Sequence, residues 1–174
     1  MKQSISLVSA LLLALIVGVA MFIAGSHIKF GMLINREIKK NMSYHTNIIQ
    51  DTVVNENFRK VLFTGANSQL VVMSIPPGGE VGKETHKYTE QTLFFLSGKG
   101  EGEFNGQKFD IVPGDVAVVV PGTEHNFWNT GTEPLKIYTV YAPPNHIDGR
   151  IHKTKADADA DVADEAIGES APLR

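Results

Sequence analysis

Four residues near the middle of the chain have side chains and spacing suited to holding a metal. They are Glu84, His86, Gln91 and His125. Residues two apart on a β-strand project from the same face, so Glu84 and His86 would leave one side of a strand together. His125 follows a Pro-Gly turn and would lie on a second strand. Imidazole nitrogens with carboxylate and amide oxygens suit a divalent transition metal such as Zn, Mn, Fe or Ni rather than Ca or Mg.

The role of Gln91 has two interpretations. Its neutral amide oxygen is a poor ligand, so it either binds the metal or only orients a ligand or a water. The neighbouring Glu90 would bring a carboxylate instead, but a slip of one residue turns a strand side chain to the opposite face. A histidine in a strand can also be an ordinary hydrogen-bonded residue. Two histidines at these positions favour the metal.

Short apolar runs separated by turn residues surround these four residues. The dipeptide Asn105-Gly106 predicts a two-residue hairpin, because both positions tolerate a positive φ. The pattern predicts an all-β sandwich or barrel with no helix between residues 50 and 145. The predicted strands are Phe58–Phe63, Gln69–Ile75, Thr92–Leu96, Glu101–Phe104, Gln107–Val112, Val116–Val120, His125–Asn129 and Leu135–Tyr141.

Alternation along these strands assigns their faces. If His125 points into the barrel, Phe127 and Asn129 do too, and Phe95 shares the face of Gln91. The residues expected to line a ligand pocket are Tyr88, Phe95, Phe127, Asn129 and His146. The opposite face of the Gln91 strand carries Thr92, Phe94 and Leu96, which predicts a second layer over it. That layer is either a second copy of the chain, giving a homodimer, or residues 43–57.

Two spaced motifs contain the four candidate ligands. They read Gly78-x5-Glu84-x-His86-x4-Gln91-x6-Gly98 and Gly114-x5-Val120-Pro121-Gly122-x2-His125-x3-Asn129. This pair resembles the signatures of the cupin superfamily, G-x5-H-x-H-x3,4-E-x6-G and G-x5-P-x-G-x2-H-x3-N. The spacing agrees, whereas Glu84, Gln91 and Val120 replace the usual His, Glu and Pro. The resemblance implies a double-stranded β-helix, or jelly-roll barrel, that holds a metal.

The stretch from Asn57 to Thr154 resembles one subgroup of small single-domain cupins, which share its YAPP-x-H-x2-G-x2-H-K-T ending. Proteins of this subgroup are often labelled as similar to mannose-6-phosphate isomerase, which implies a small polar, sugar-phosphate-like ligand. An isomerase needs a base, for which Glu84, Glu124 and His146 are the candidates. A metal-dependent isomerase, a dioxygenase and a non-catalytic binding or sensing module at a membrane all remain open, because one barrel hosts many chemistries.

The chain divides into three segments. Residues 1–41 contain the uncharged apolar run Ile5–Gly25, which is long enough to cross a bilayer as a helix. Residues 42–154 form the predicted barrel and its terminal strap, the segment after Tyr141 that contains His146 and His152. Residues 155–174 are acidic and rich in alanine, and their composition predicts a disordered tail.

The Ile5–Gly25 run has three interpretations. A single-pass anchor is favoured by its length, and the basic residues that follow it place the barrel on the cytoplasmic side. A cleaved signal peptide would instead make the protein secreted or periplasmic. A working chain that starts at Met42 would be soluble.

The composition of the 174 residues narrows the function further. Hydrophobic residues make up 43% and charged residues 20%, which is enough for a packed core. The net charge is −3 and the barrel region has no basic cluster, so nucleic acid is not an expected partner. The chain has no cysteine, which excludes disulfides, thiolate metal sites and cysteine nucleophiles.

Overall fold

Short antiparallel strands dominate the structure, a computed structural model that describes residues 43–169. Within that range there are ten strands and three helices. The strands are β1 Arg59–Thr64, β2 Gln69–Ile75, β3 Glu84–Thr85, β4 Glu90–Ser97, β5 Gly100–Phe104, β6 Gln107–Ile111, β7 Val116–Val119, β8 Glu124–Asn129, β9 Leu135–Ala142 and β10 Ile151–His152. The helices are α1 Ile48–Val54, α2 Lys155–Asp159 and α3 Val162–Glu169.

The strands form two sheets around one core. The larger sheet has the order β10-β1-β2-β9-β4-β7, and the smaller has the order β3-β8-β5-β6. Alternate side chains from both sheets meet in a single apolar cluster that includes Met73, Leu93, Phe95, Phe127 and Ile137. This arrangement confirms the predicted all-β jelly-roll barrel.

The hairpin predicted at Asn105-Gly106 joins β5 to β6. Both residues have positive φ, 48° and 83°, which is the conformation that an Asn-Gly turn supplies at little cost. Phe104 pairs with Gln107 across the turn, so exactly two residues separate the paired strand ends. The hairpin prediction is confirmed.

Helix α1 corrects the prediction that no helix occurs between residues 50 and 145. The side chain of Asn47 caps its first turn by accepting a hydrogen bond from the Gln50 backbone N–H at 3.2 Å. The helix packs against β2 and β9, and the outward-facing Val72 of β2 is fully buried. Residues 43–57 therefore cover part of the outer face of the larger sheet.

Helices α2 and α3 correct the prediction of a disordered tail over residues 155–169. Thr154 and Asp157 form a reciprocal capping box at the start of α2. Asp161 contacts His152, with 3.0 Å between the carboxylate oxygen and Nε2, and Asp164 is buried against His146. Composition alone predicted disorder here, but these two aspartates contact histidines in the preceding strap.

The predicted membrane segment Ile5–Gly25 lies outside the described residues, as does Met42. Between residues 43 and 169, no helix has both the length and the apolar character that crossing a bilayer requires.

Candidate metal centre

The pairing of β3 with β8 brings the predicted ligands together. Glu84 lies directly opposite His125 in this ladder. His86 follows β3, and its carbonyl accepts a hydrogen bond of 2.9 Å from the backbone N–H of Gly122, in the turn that precedes β8. As a result, one ligand atom from each of Glu84, His86 and His125 lies within 4.8 Å of the others.

The atoms that face this cluster have no hydrogen-bond partner. Glu84 Oε2, His86 Nε2 and His125 Nε2 are all buried and unpaired. Glu84 Oε2 and His86 Nε2 are 3.4 Å apart. Because buried polar atoms in folded proteins almost always find a partner, three such atoms around one point indicate a ligand that they share.

A hydrogen bond from the ring nitrogen that faces away from the cluster fixes the orientation of His125. Its Nδ1 lies 2.9 Å from the carbonyl oxygen of Thr123, so Nδ1–H donates there and the lone pair of Nε2 faces the cluster. Burial lowers the pKa of His125 below its usual value, which keeps the imidazole neutral. A backbone carbonyl that orients a neutral imidazole is a common outer partner of a metal-binding histidine.

Gln91 points into the barrel as predicted. Its side chain is buried, and its Nε2 donates a hydrogen bond of 2.9 Å to the hydroxyl of Tyr141. Burial raises the pKa of Tyr141, so this hydroxyl stays protonated. The ring of Tyr141 lies 5.8 Å from that of His86, and Gln91 Oε1 is another buried acceptor without a partner. Glu90 is exposed, so the alternative register does not occur.

Glu84 carries the negative charge of the cluster. Its burial opposes ionisation, but the contact with His86 and the positive charge of Arg59 lower its pKa to about 2. The Arg59 guanidinium lies 4.0 Å from its other oxygen. A charged carboxylate and two imidazoles form a donor set that fits a divalent transition metal, and the buried Gln91 Oε1 is a candidate fourth donor.

A cavity of about 430 Å³ opens beside Glu84 and His86. Its other walls come from Arg59 on β1, from Asn145 and His146 in the strap, and from residues of α2 and α3. Helix α3 contributes Asp164, whose oxygens lie 2.8 Å from His146 Nδ1 and 2.7 Å from the backbone nitrogen of Ile147. The tail therefore forms part of the cavity wall.

Comparisons with known proteins agree with this architecture. A family model described as "Cupin domain" matches residues 71–141. The uncharacterized protein L612 of Acanthamoeba polyphaga mimivirus is 31% identical over 116 residues, which cover 64% of this chain and 72% of L612. The chain belongs to the cupin family.

Two further relatives of this cupin are bacterial. The uncharacterized protein YrkC of Bacillus subtilis is 43% identical over 118 residues, or 64% of this chain, and the matched region spans 63% of YrkC. The crystal structure of BH2720 from Bacillus halodurans has a TM-score of 0.67 and 36% identity, and the match covers 69% of this chain and 96% of that one.

Four of the five predicted pocket residues lie elsewhere in this cupin. Tyr88 is 37% exposed because β3 ends at Thr85, so strand alternation does not extend to it. Phe95 and Phe127 pack against each other in the core, with ring centroids 5.5 Å apart. Asn129 Nδ2 donates to two backbone carbonyls, those of Ile75 and Glu133.

His146 does line the cavity, as predicted. Glu124, another candidate base, is exposed and paired with Lys83 at 2.8 Å. Sequence reasoning missed Arg59 and Asp164. In the tail, the one local feature that could have predicted a helix was the Thr154-x-x-Asp157 spacing, which is typical of a helix N-cap.

Proposed function

We propose that this cupin binds one divalent transition metal through Glu84, His86, Gln91 and His125, and that it binds and acts on a small polar molecule in the adjoining cavity. The observation that supports the metal is the set of four buried polar atoms without hydrogen-bond partners, one on each of these side chains. Gln91 belongs to the set because the hydrogen bond from its Nε2 to Tyr141 leaves Oε1 as the free atom.

When bound, a divalent metal supplies Lewis acidity for a substrate oxygen. The chain itself supplies the pocket and the means of moving a proton. The cavity volume of about 430 Å³ lies within the range of small-molecule sites. Of the three predicted bases, Glu84 belongs to the metal ligands and Glu124 is exposed, which leaves His146 as the base on the cavity wall.

The ligand class is proposed from the cavity wall and from the sequence resemblance together. Arg59 offers a buried positive charge, and the resemblance to cupins labelled as mannose-6-phosphate isomerase-like favours a hydroxylated molecule with a negative charge. A non-catalytic protein that binds such a molecule is the second candidate, because a neutral Gln91 is an unusual metal ligand.

Elemental analysis of the untagged full-length chain tests the metal site. After loading with Zn, Mn, Fe(II) or Ni and dialysis, we expect about one metal ion per chain for the preferred metal. His86→Ala and His125→Ala should each lose it and melt at a lower temperature than the metal-loaded parent, because a ligand of the folded state stabilises that state. His45→Ala, which changes an exposed histidine, is the matched control and should keep its metal. Full metal content in the double variant His86→Ala/His125→Ala would contradict the proposal.

A further inference from the structure

Three other residues that line the cavity carry unpaired polar atoms of their own. Arg59 Nε, Asn145 Oδ1 and His146 Nε2 are buried and have no hydrogen-bond partner. These residues are 8%, 5% and 6% exposed, and all three line the cavity. One donor and two acceptors of this kind require a ligand with complementary groups, since buried polar atoms rarely stay unpaired.

Arg59 is the donor. Its guanidinium lies between two carboxylates, with Nη1 at 4.0 Å from Glu84 and Nη2 at 3.6 Å from Asp164. Both distances exceed those of a hydrogen bond, so the two acids balance the charge of Arg59 without using its N–H groups in a paired contact. A planar guanidinium in this state matches the two oxygens of an anionic ligand.

His146 is an acceptor because of Asp164. The Asp164 carboxylate lies 2.8 Å from His146 Nδ1 and also accepts a hydrogen bond from the backbone N–H of Ile147. Burial opposes ionisation of Asp164, but these hydrogen bonds hold its pKa below the usual range. Burial also lowers the pKa of His146, so Nδ1–H donates to Asp164 and Nε2 keeps a lone pair. A ligand hydroxyl can donate to that lone pair.

The charges of the wall set the charge of the ligand. Two carboxylates, those of Glu84 and Asp164, flank the one guanidinium of Arg59, so at their ordinary charges these three groups carry one net negative charge. A divalent ion at the neighbouring ligands would turn this into one net positive charge, which one carboxylate balances. The two lysines at the cavity, Lys83 and Lys155, are already paired with Glu124 and Asp159. A dianionic phosphate would therefore lack a second free cation and would also face Glu165 and Glu169.

We propose that the cavity binds a small hydroxy monocarboxylate, with its carboxylate on Arg59 and its hydroxyl groups on His146 and Asn145. This inference rests on the proposed metal-binding function, because the charge balance needs the ion. It assigns the tail a role in recognition, since Asp164 of α3 sets the tautomer of His146.

Calorimetric titration of the full-length, metal-loaded chain tests the ligand class. Gluconate and lactate are the probes, and each has a partner without hydroxyls, hexanoate for gluconate and propionate for lactate. Glucose lacks the carboxylate, and glucose 6-phosphate carries a dianion instead. At least one hydroxy acid should bind about tenfold tighter than its partner, and gluconate should bind tighter than glucose and glucose 6-phosphate. Metal content is measured before and after each titration.

Variants locate the two halves of the site. Arg59→Gln should remove the preference for gluconate over glucose, and His146→Phe should remove the preference for gluconate over hexanoate. Lys83→Gln, which changes an exposed cation at the same cavity, is the matched control and should keep both preferences. Circular dichroism and retained metal show that each variant is folded.

The outcomes separate the two proposals. A parent chain that takes up no metal overturns the proposed function and this inference with it. A metal-loaded parent that binds hexanoate, propionate or glucose 6-phosphate as tightly as the hydroxy acids overturns the inference alone. Selectivity that survives both Arg59→Gln and His146→Phe also overturns it.

Discussion

Gln91 makes the proposed metal site less negative than one with an acid at the same position. The side chain is held by the Tyr141 hydroxyl, which faces its Nε2, and its Oε1 is free. Glu84 is then the one carboxylate among the four proposed ligands. A divalent ion keeps a net positive charge at such a site, so it can attract an anionic group nearby.

Gln91→Glu should bind the metal more tightly than the parent, by roughly tenfold, because a carboxylate adds a negative ligand where the amide stood. The Tyr141 hydroxyl can reverse its hydrogen bond and donate to the new carboxylate. Competition with a chelator of known affinity measures the change. Glu90→Gln alters the exposed neighbour and should leave the affinity as it is. An unchanged or weaker affinity in Gln91→Glu would place residue 91 outside the ligands.

Among the elements, helix α3 connects the tail to the site through one buried side chain. Asp164 is 2% exposed and contacts His146, the Ile147 backbone N–H and Arg59. Gly168 allows the same helix to approach the strap closely, since a Cβ there would lie 2.9 Å from Asn145 Nδ2. The helix thus depends on a few specific contacts rather than on a broad apolar face.

Asp164→Ala should lower the free energy of unfolding by about 3 kcal/mol, because it leaves the His146 Nδ1–H and the Ile147 backbone N–H without an acceptor and removes one of the two carboxylates beside Arg59. Urea denaturation of the full-length chain measures this. Asp159→Ala, in the exposed part of α2, should cause little change, since exposed ion pairs contribute little. Equal stabilities for the two variants would contradict the importance of the buried contact.

At the scale of the whole molecule, the outer face of β4 and β7 exposes apolar side chains that a second copy of the chain could cover. Phe94 stacks on Tyr138 with 4.7 Å between ring centroids, and Val116 and Val118 are 56% and 50% exposed. Helix α1 packs on the part of this sheet that β2 and β9 form. The predicted second copy would pack on the remaining part, over β4 and β7.

We expect a two-fold dimer through this face, because apolar strands exposed on one side commonly pair with their own copy. Light scattering of the full-length chain at micromolar concentration should give twice the monomer mass. Val118→Lys should give the monomer mass, because it places a charge in the interface. The control Val162→Lys changes an exposed valine on the first turn of α3 and should stay dimeric. A monomeric parent would contradict the prediction.

The protonation of the buried histidines affects the stability of the whole fold. Burial lowers the pKa of His146 below 6.5 in the folded chain. As the pH falls, His146 is therefore protonated in the unfolded chain before it is protonated in the folded chain. This contribution to stability is therefore present above about pH 6.5 and is lost as the pH falls towards the folded-state pKa.

His146→Gln removes that titration and keeps a donor for Asp164. The free energy of unfolding of the metal-free variant should consequently decrease less than that of the parent when the pH is lowered from about 7 to about 5.5. Urea denaturation at several pH values measures both slopes. His125, whose pKa is lowered in the same direction, is present in both proteins and cancels in the comparison. A steeper decrease in the variant would contradict the assignment.

Local pattern was enough to predict the barrel and the clustering of Glu84, His86 and His125. Alternation and the Asn-Gly turn predicted the strands, and the spacing of the three residues predicted that their side chains meet. Arg59 and Asp164 were missed because their roles depend on partners far away in the sequence. The tail was misjudged because composition does not show that Asp161 and Asp164 meet histidines in the strap.

The division of the cavity between barrel and tail has a consequence for how such proteins diverge. Substitutions or exchanges confined to the last helix change what surrounds His146 and Arg59, while every proposed metal ligand stays in the barrel. New ligand preferences can therefore arise in α3, which lies outside the two sheets that form the core. Engineering of selectivity can start from the same short segment, with libraries limited to residues 160–169.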